Sequence, residues 1–241
     1  MNMGWYDFQP YISVGEKKEK AQKQLEKLCK KSKNNISPVI IKGRKIATTW
    51  WGIAWNKNLE SYAQLANRID RGSAYVKNGF VLDLQINEGE ISALVYGSKL
   101  YEIKIRISKL SDNNWSKIQE KCSKRIDSIA ALAEGNFPRE FSEFFMKQGD
   151  GLFPSPKEIK MDCSCPDSSP GWMCKHVAAV LYGVGARLDT DPLLLFKLRG
   201  IDPSELIKKS VDEKMKSLMQ STKRKSDRII SDKDAARIFG V

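Results

Sequence analysis

Residues 80–107 read FVLDLQINEGEISALVYGSKLYEIKIRI. Phe80, Leu82, Leu84 and Ile86 alternate with Val81, Asp83 and Gln85. Ile91, Ala93 and Val95 follow the turn Asn87-Glu88-Gly89, and Ile103, Ile105 and Ile107 alternate with Glu102, Lys104 and Arg106. Side chains on a strand point to opposite faces in turn, so a period of two marks half-buried strands. With turn residues at Asn78-Gly79, Glu88-Gly89 and Gly97-Ser98, the spacing predicts an antiparallel meander with one wet face. Lys104 and Arg106 fall on that face, where solvent is the default partner and phosphate the functional one.

Around this sheet the period changes to that of helices. Residues 17–33 carry eight lysines against Glu19 and Glu26, with Leu25 and Leu28 as a thin apolar stripe. They read as a basic helix, ended by Asn34, Asn35 and Pro38. Trp51, Trp55, Leu59, Tyr62 and Ala66 fall on one face of a second predicted helix, and Trp50 lies off that face. A third begins at Asp112 and runs to about Ala133, with Trp115, Ile118, Cys122, Ile126 and Ile129 on one side. Pro138 suits the first turn of a shorter helix through Phe141, Phe144 and Phe145. Residues 176–188 are apolar nearly all round, which marks a buried helix. Asp191-Pro192 and Asp202-Pro203 start two more, the second ending near Met219, and residues 221–226 read as a linker before a terminal segment.

The chemistry concentrates at residues 163–176, CSCPDSSPGWMCKH, a C-x-C-x8-C-x-H pattern that uses the chain's one histidine. Cys163, Cys165, Cys174 and His176 are the donor set of a closed tetrahedral zinc site. Cys163 and Cys165, two apart on an extended segment, put both sulfurs on one side. Cys174 and His176 would diverge by about 200° on a continuous helix, so Cys174 should precede the helix and His176 sit in its first turn. Three thiolates and an imidazole fill the tetrahedron, which predicts one structural zinc ion and no catalytic residues. Reduced cysteines beside an unrelated histidine, and iron–sulfur ligation, are the competing readings. Gly183-Val184-Gly185 lies inside the following helix, where close packing explains it better than a nucleotide loop.

The motif followed by an apolar helix resembles the SWIM zinc finger. The longer pattern C-S-C-P-D…M-C-K-H-V-A-A-V-L-Y-G-V-G-A-R-L-D-x-D-P-L-L-L-F-K-L-R-G is similar to the stand-alone prokaryotic SWIM finger proteins. T-W-W-G-x-A-W-x-x-x-L-E-S-Y and R-G-x-x-Y-V-x-N-G-x-V-L-D-L add to the likeness, which covers roughly residues 40–200. The resemblance implies zinc binding and a DNA-binding or protein-interaction role, often beside a Swi/Snf-type helicase. It implies no reaction.

The resulting expectation is an α+β chain: an antiparallel β meander with packed helices, then a small zinc-stabilised ββα-like finger and C-terminal helices. Residues 1–37 form a basic N-terminal helical segment, 38–156 an α+β domain, 157–200 the finger and following helices, and 201–241 a basic C-terminal tail. The formal charge of +12 and pI near 9.4 point to polyanions. Candidate nucleic-acid or partner contacts are Lys175 and Trp172 beside the finger, the basic turn Lys42, Arg44 and Lys45, and Trp50. The expected function is a non-enzymatic module that touches nucleic acid, DNA before RNA. The alternative is a protein–protein adaptor that docks through the finger. The chain lacks a Gly-Lys dipeptide and so a Walker A loop. Its odd count of five cysteines suits a reducing compartment. No basic, apolar leader is visible, so the expected location is cytoplasmic, with nucleoid association and no membrane contact.

Overall fold

A computed structural model describes residues 12–31, 35–62, 66–123, 138–147, 149–169 and 172–223, with the single residues 131, 134 and 237. Its helices are α1 (Val14–Lys31), α2 (Trp50–Glu60), α3 (Ala66–Lys77), α4 (Asp112–Ser123), α5 (Ser142–Phe145), α6 (Lys175–Leu188), α7 (Leu194–Leu198) and α8 (Ser204–Lys223). Its strands are β1 (Val81–Asn87), β2 (Glu90–Tyr96), β3 (Leu100–Ile107) and β4 (Ile159–Cys163). They form one antiparallel sheet in the order β1-β2-β3-β4. The meander is therefore present, and the segment that leads into the zinc motif extends it by a fourth strand. Among the described residues no helix is long and apolar enough to cross a membrane.

One detail of the alternation is corrected. Val81 pairs with Val95, but Asp83 pairs with Leu94, so two residues of β1 oppose one step of β2. This bulge reverses the side-chain phase. Val81 joins Leu84, Val95, Ile91 and Ile103 in the main core. Phe80 and Leu82 form a second apolar cluster with Ala21, which Leu25 and Leu28 of α1 cover. The bulge thus gives the basic helix a landing place, and only Ala21 of α1 is fully buried.

α6 is the spine of the fold. It packs on α3 and α2 on one side and on the sheet on the other, and eleven of its fourteen residues are buried. Three small residues permit this approach. A Cβ at Gly185 would collide with Asn56 Oδ1 of α2, one at Gly183 would come within 3.1 Å of Val39, and one at Gly72 of α3 would lie 2.5 Å from Ala178. The glycines in α6 are packing residues, as their position in the helix implied. The indoles of α2 anchor the contact, with Trp55 Nε1 donating to the Leu181 carbonyl at 2.9 Å and Trp51 Nε1 to that of Leu188 at 2.8 Å. Leu188 is the last residue of α6, so Trp51 satisfies a carbonyl the helix leaves unpaired.

The single helix expected through Trp51 and Ala66 is two. α2 stops at Glu60, where Ser61 Oγ donates to the Asn58 carbonyl and Tyr62 turns to donate to Pro154 O at 2.8 Å. Trp55 and Leu59 are buried as the stripe required. The helix expected from Asp112 is described as far as Ser123, with Trp115, Ile118 and Cys122 buried; Ile126 and Ile129 lie outside the described residues. α8 continues through residues 221–223, so the start of the expected linker is helical. The terminal segment from Asp232 lies outside the described residues apart from Arg237.

Candidate metal centre

Two elements carry the ligands. β4 ends at Cys163, and Ser164 continues the pairing with β3: its N–H donates to Glu102 O at 3.0 Å and its Oγ accepts from Glu102 N at 2.9 Å. Ligation then meets the start of α6. Cys174 is the N-cap residue, extended at φ −79° and ψ 166°, and its sulfur accepts from Val177 N at 3.5 Å. His176 is the second residue of the helix. This is the arrangement the two-residue spacing demanded: extended backbone at Cys174, helical backbone at His176. β3, β4 and α6 together supply the ββα frame around the ligands.

The four donor atoms lie within 4.8 Å of one another. His176 Nδ1 is 3.9 Å from both Cys163 Sγ and Cys174 Sγ. Tetrahedral zinc with sulfur at about 2.3 Å and nitrogen at about 2.0–2.1 Å holds its ligands roughly 3.5–3.8 Å apart. Cys165, Cys174 and His176 are buried and Cys163 is half-buried. The donor set and its spacing fit one zinc ion held by Cys163, Cys165, Cys174 and His176.

Electrostatics makes a cation necessary for full ionisation. Cys174 is drawn down to about 4: Cys163 donates a hydrogen bond to it, and this outweighs burial with help from His176 and the Val177 N–H. Cys163 is pushed up, first because its proton is held on Cys174, then by burial and by the Cys174 charge. Cys165 is pushed up by burial and by that same charge. Zinc loading near neutral pH should therefore release protons from the cysteines, and apparent affinity should climb as pH rises towards the thiol range. Competition titrations against a chelator at several pH values, with proton release in two buffers, measure this; a pH-independent affinity would refute it.

Aromatic rings enclose the imidazole. Tyr101 lies over it with centroids 4.6 Å apart, and Tyr75 meets it edge-on at 5.4 Å. Gly97 fits against the same ring, since a Cβ there would sit 2.9 Å from Nε2. Nothing in the local motif pointed to these three residues, which come from α3, the β2–β3 turn and β3. Asp167, inside the motif, pairs with Lys175 at 3.4 Å and Arg68 at 3.3 Å.

The remaining candidate contacts scatter. Trp172 is 52% exposed beside the ligands. Lys175 is part-buried and paired with Asp167. Lys42, Arg44 and Lys45 are exposed on the loop before α2, while Trp50 is half-buried and packs edge-on to Trp51 with centroids 5.7 Å apart. Lys104 and Arg106 on the wet face are paired with Glu90 and Asp162.

Residues 151–184 match the SWIM zinc finger family. The chain is also similar to the uncharacterized protein Rv2102 of Mycobacterium tuberculosis, 34% identical over 165 residues. That match covers 67% of this chain and 58% of the relative. No solved structure matches the chain.

Proposed function

We propose, from the SWIM zinc finger at residues 151–184, that the chain is a non-enzymatic zinc-stabilised module that contacts nucleic acid, DNA before RNA, in the cytoplasm. Its expected setting is that of an accessory to a Swi/Snf-type helicase. The observation that carries the reading is where α1 docks. Lys17, near its start, feels the charges of both Lys175 at the finger and Arg71 on α3, and burial together with those charges lowers it to about 8. Lys17, Lys20 and Lys175 thus lie around one recess beside the zinc site, and Lys23, Lys27, Lys30 and Lys31 are exposed further along α1. The cations of the wet sheet face are neutralised by carboxylates and are poorer candidates.

The zinc ion takes no part in a reaction on this reading; its ligands hold the start of α6 and with it Lys175 and Trp172. The chain's one histidine is committed to that site, which leaves no imidazole for acid–base work elsewhere.

Fluorescence anisotropy with short DNA and RNA duplexes and single strands tests the reading. Log affinity for duplex DNA should fall with log salt at about −0.9 per phosphate neutralised, and Lys23→Gln with Lys27→Gln should flatten that slope by about two contacts while changing stability little. Absence of binding to any of the four at low salt would defeat it. The exposure of Trp172 is what the adaptor reading has in its favour. A pull-down from native cells with and without nuclease separates the two, because an ATPase retained after nuclease is held by protein contact.

A further inference from the structure

Two sides of α8 are apolar. Leu206 and Ser210 are buried on the side where the helix packs along α4. About a third of a turn round the helix, Ile207, Val211 and Met215 are 39%, 49% and 54% exposed, and Leu218 and Met219 continue the line. Spacings of i, i+4, i+8 and i+11 keep these side chains on one face. Among the described residues no other element shows as long a run of exposed apolar side chains. A contiguous exposed patch of this kind marks a docking face. Its rim is charged, with Lys214 and Lys216 exposed beside it.

The chain carries a segment that fits. Residues 224–241, outside the described residues except for Arg237, read RKSDRIISDKDAARIFGV. Ser231 suits an N-cap, Asp232 and Asp234 suit the first turn, and Gly240 suits the position after the last. Ala235, Ile238 and Phe239 fall on one face at i, i+3 and i+4, and Ile230 before the cap suits a staple against Ala235. Arg237 falls on the opposite face, and it is helical and exposed. A helix of about eight residues is marginal in water by itself, so it forms where its apolar face is covered.

Geometry and charge favour this occupant. Residues 224–231 reach up to about 26 Å when extended, against about 8–10 Å between packed helices. Lying antiparallel on α8 with Ile230 over Leu218, the segment sets Ala235 near Met215, and Ile238 and Phe239 near Val211 and Ile207. The same register brings Asp232 alongside Lys216 and Asp234 alongside Lys214. Tethering to the end of α8 gives the segment an advantage over any free helix. We infer that the apolar face of α8 is the docking surface for the chain's own residues 230–239, which fold back on it as an antiparallel helix and shield it from other helices.

Photocrosslinking in the zinc-loaded full chain tests this. With p-benzoylphenylalanine in place of Phe239, an equal mixture of nitrogen-14 and nitrogen-15 chains should form links to residues 207–219 within single chains. Met215→Asp, at an exposed position away from the core, should lower the yield about tenfold, because docking would then bury an unpaired charge. Independently of the crosslinker, Ile238→Asp with Phe239→Asp in the full chain should speed amide exchange across residues 207–219 by about tenfold. Links that join nitrogen-14 to nitrogen-15 chains would make a second copy the occupant and overturn the proposal. So would links to another part of the same chain, no link to α8 at all, or exchange in α8 that the double variant leaves unchanged.

Discussion

Replacing Cys174 by alanine should lower the melting temperature of the whole described fold by at least about 10–20 °C. Structural zinc contributes roughly 10–16 kcal/mol in small peptides, against a whole-domain stability of about 5–15 kcal/mol. A loss of even about 5 kcal/mol shifts a chain of this size by that much. The fold explains why the damage spreads. Cys174 is both a ligand and the N-cap of α6, and α6 is the helix on which α2, α3 and the sheet all pack. Unfastening it exposes Val177, Val180, Leu181 and Val184, all essentially fully buried. Residues 160–190 unfold first, and the main core goes with them because it contains them. Chelation of zinc from the wild type should reproduce the variant, whereas Cys29→Ala, at an exposed cysteine on α1, should melt unchanged. Thermal melts by circular dichroism with zinc content measured alongside decide this, and an unaltered melt after demonstrated zinc loss would contradict it.

Glu158→Ala should cost about 3–5 kcal/mol, read as a lower urea midpoint. Its partner Arg199 has a side chain with no solvent exposure. Arg199 Nη1 donates to Ser108 O at 2.8 Å and Nη2 to Glu158 Oε1 at 2.5 Å, while Nε has no partner among the described residues. Deleting the carboxylate leaves a buried guanidinium half-satisfied, and breaking such a pair from one side is far costlier than replacing both. Glu158 also caps the turn that feeds β4, accepting from Ser155 N at 2.7 Å. Arg199→Met added to Glu158→Ala should therefore recover part of the loss. The pH dependence has a definite sign. Burial raises the Glu158 carboxyl, but the bonds from Ser155 and Arg199 outweigh it and hold the group below its ordinary value. Its contribution is present above the unfolded carboxylate range and disappears as pH falls through the lower folded value.

The ligand set was legible because zinc chemistry is local in sequence: two C-x-C/H pairs and a turn-rich spacer state both the donors and the backbone change between Cys174 and His176. The meander was legible through its period, and the buried helix through its lack of one. What escaped was set by distant partners. The bulge at Leu82 exists because Phe80 and Leu82 have α1 to pack against while Val81 and Leu84 have the core; strict alternation is the default only when one face alone is dry. The break after Glu60 depends on Tyr62 reaching Pro154. Arg199 gave no sign that it would be buried, since its carboxylate lies forty-one residues away. Lys17 looked like one lysine among eight, and only the docking of α1 sets it beside Tyr75 and the finger.

X-ray absorption at the zinc edge of the purified protein should show one zinc per chain with three sulfurs at about 2.3 Å and one nitrogen at about 2.0–2.1 Å. A shell with fewer sulfurs and added oxygen or nitrogen, or a folded protein without stoichiometric zinc, would contradict it.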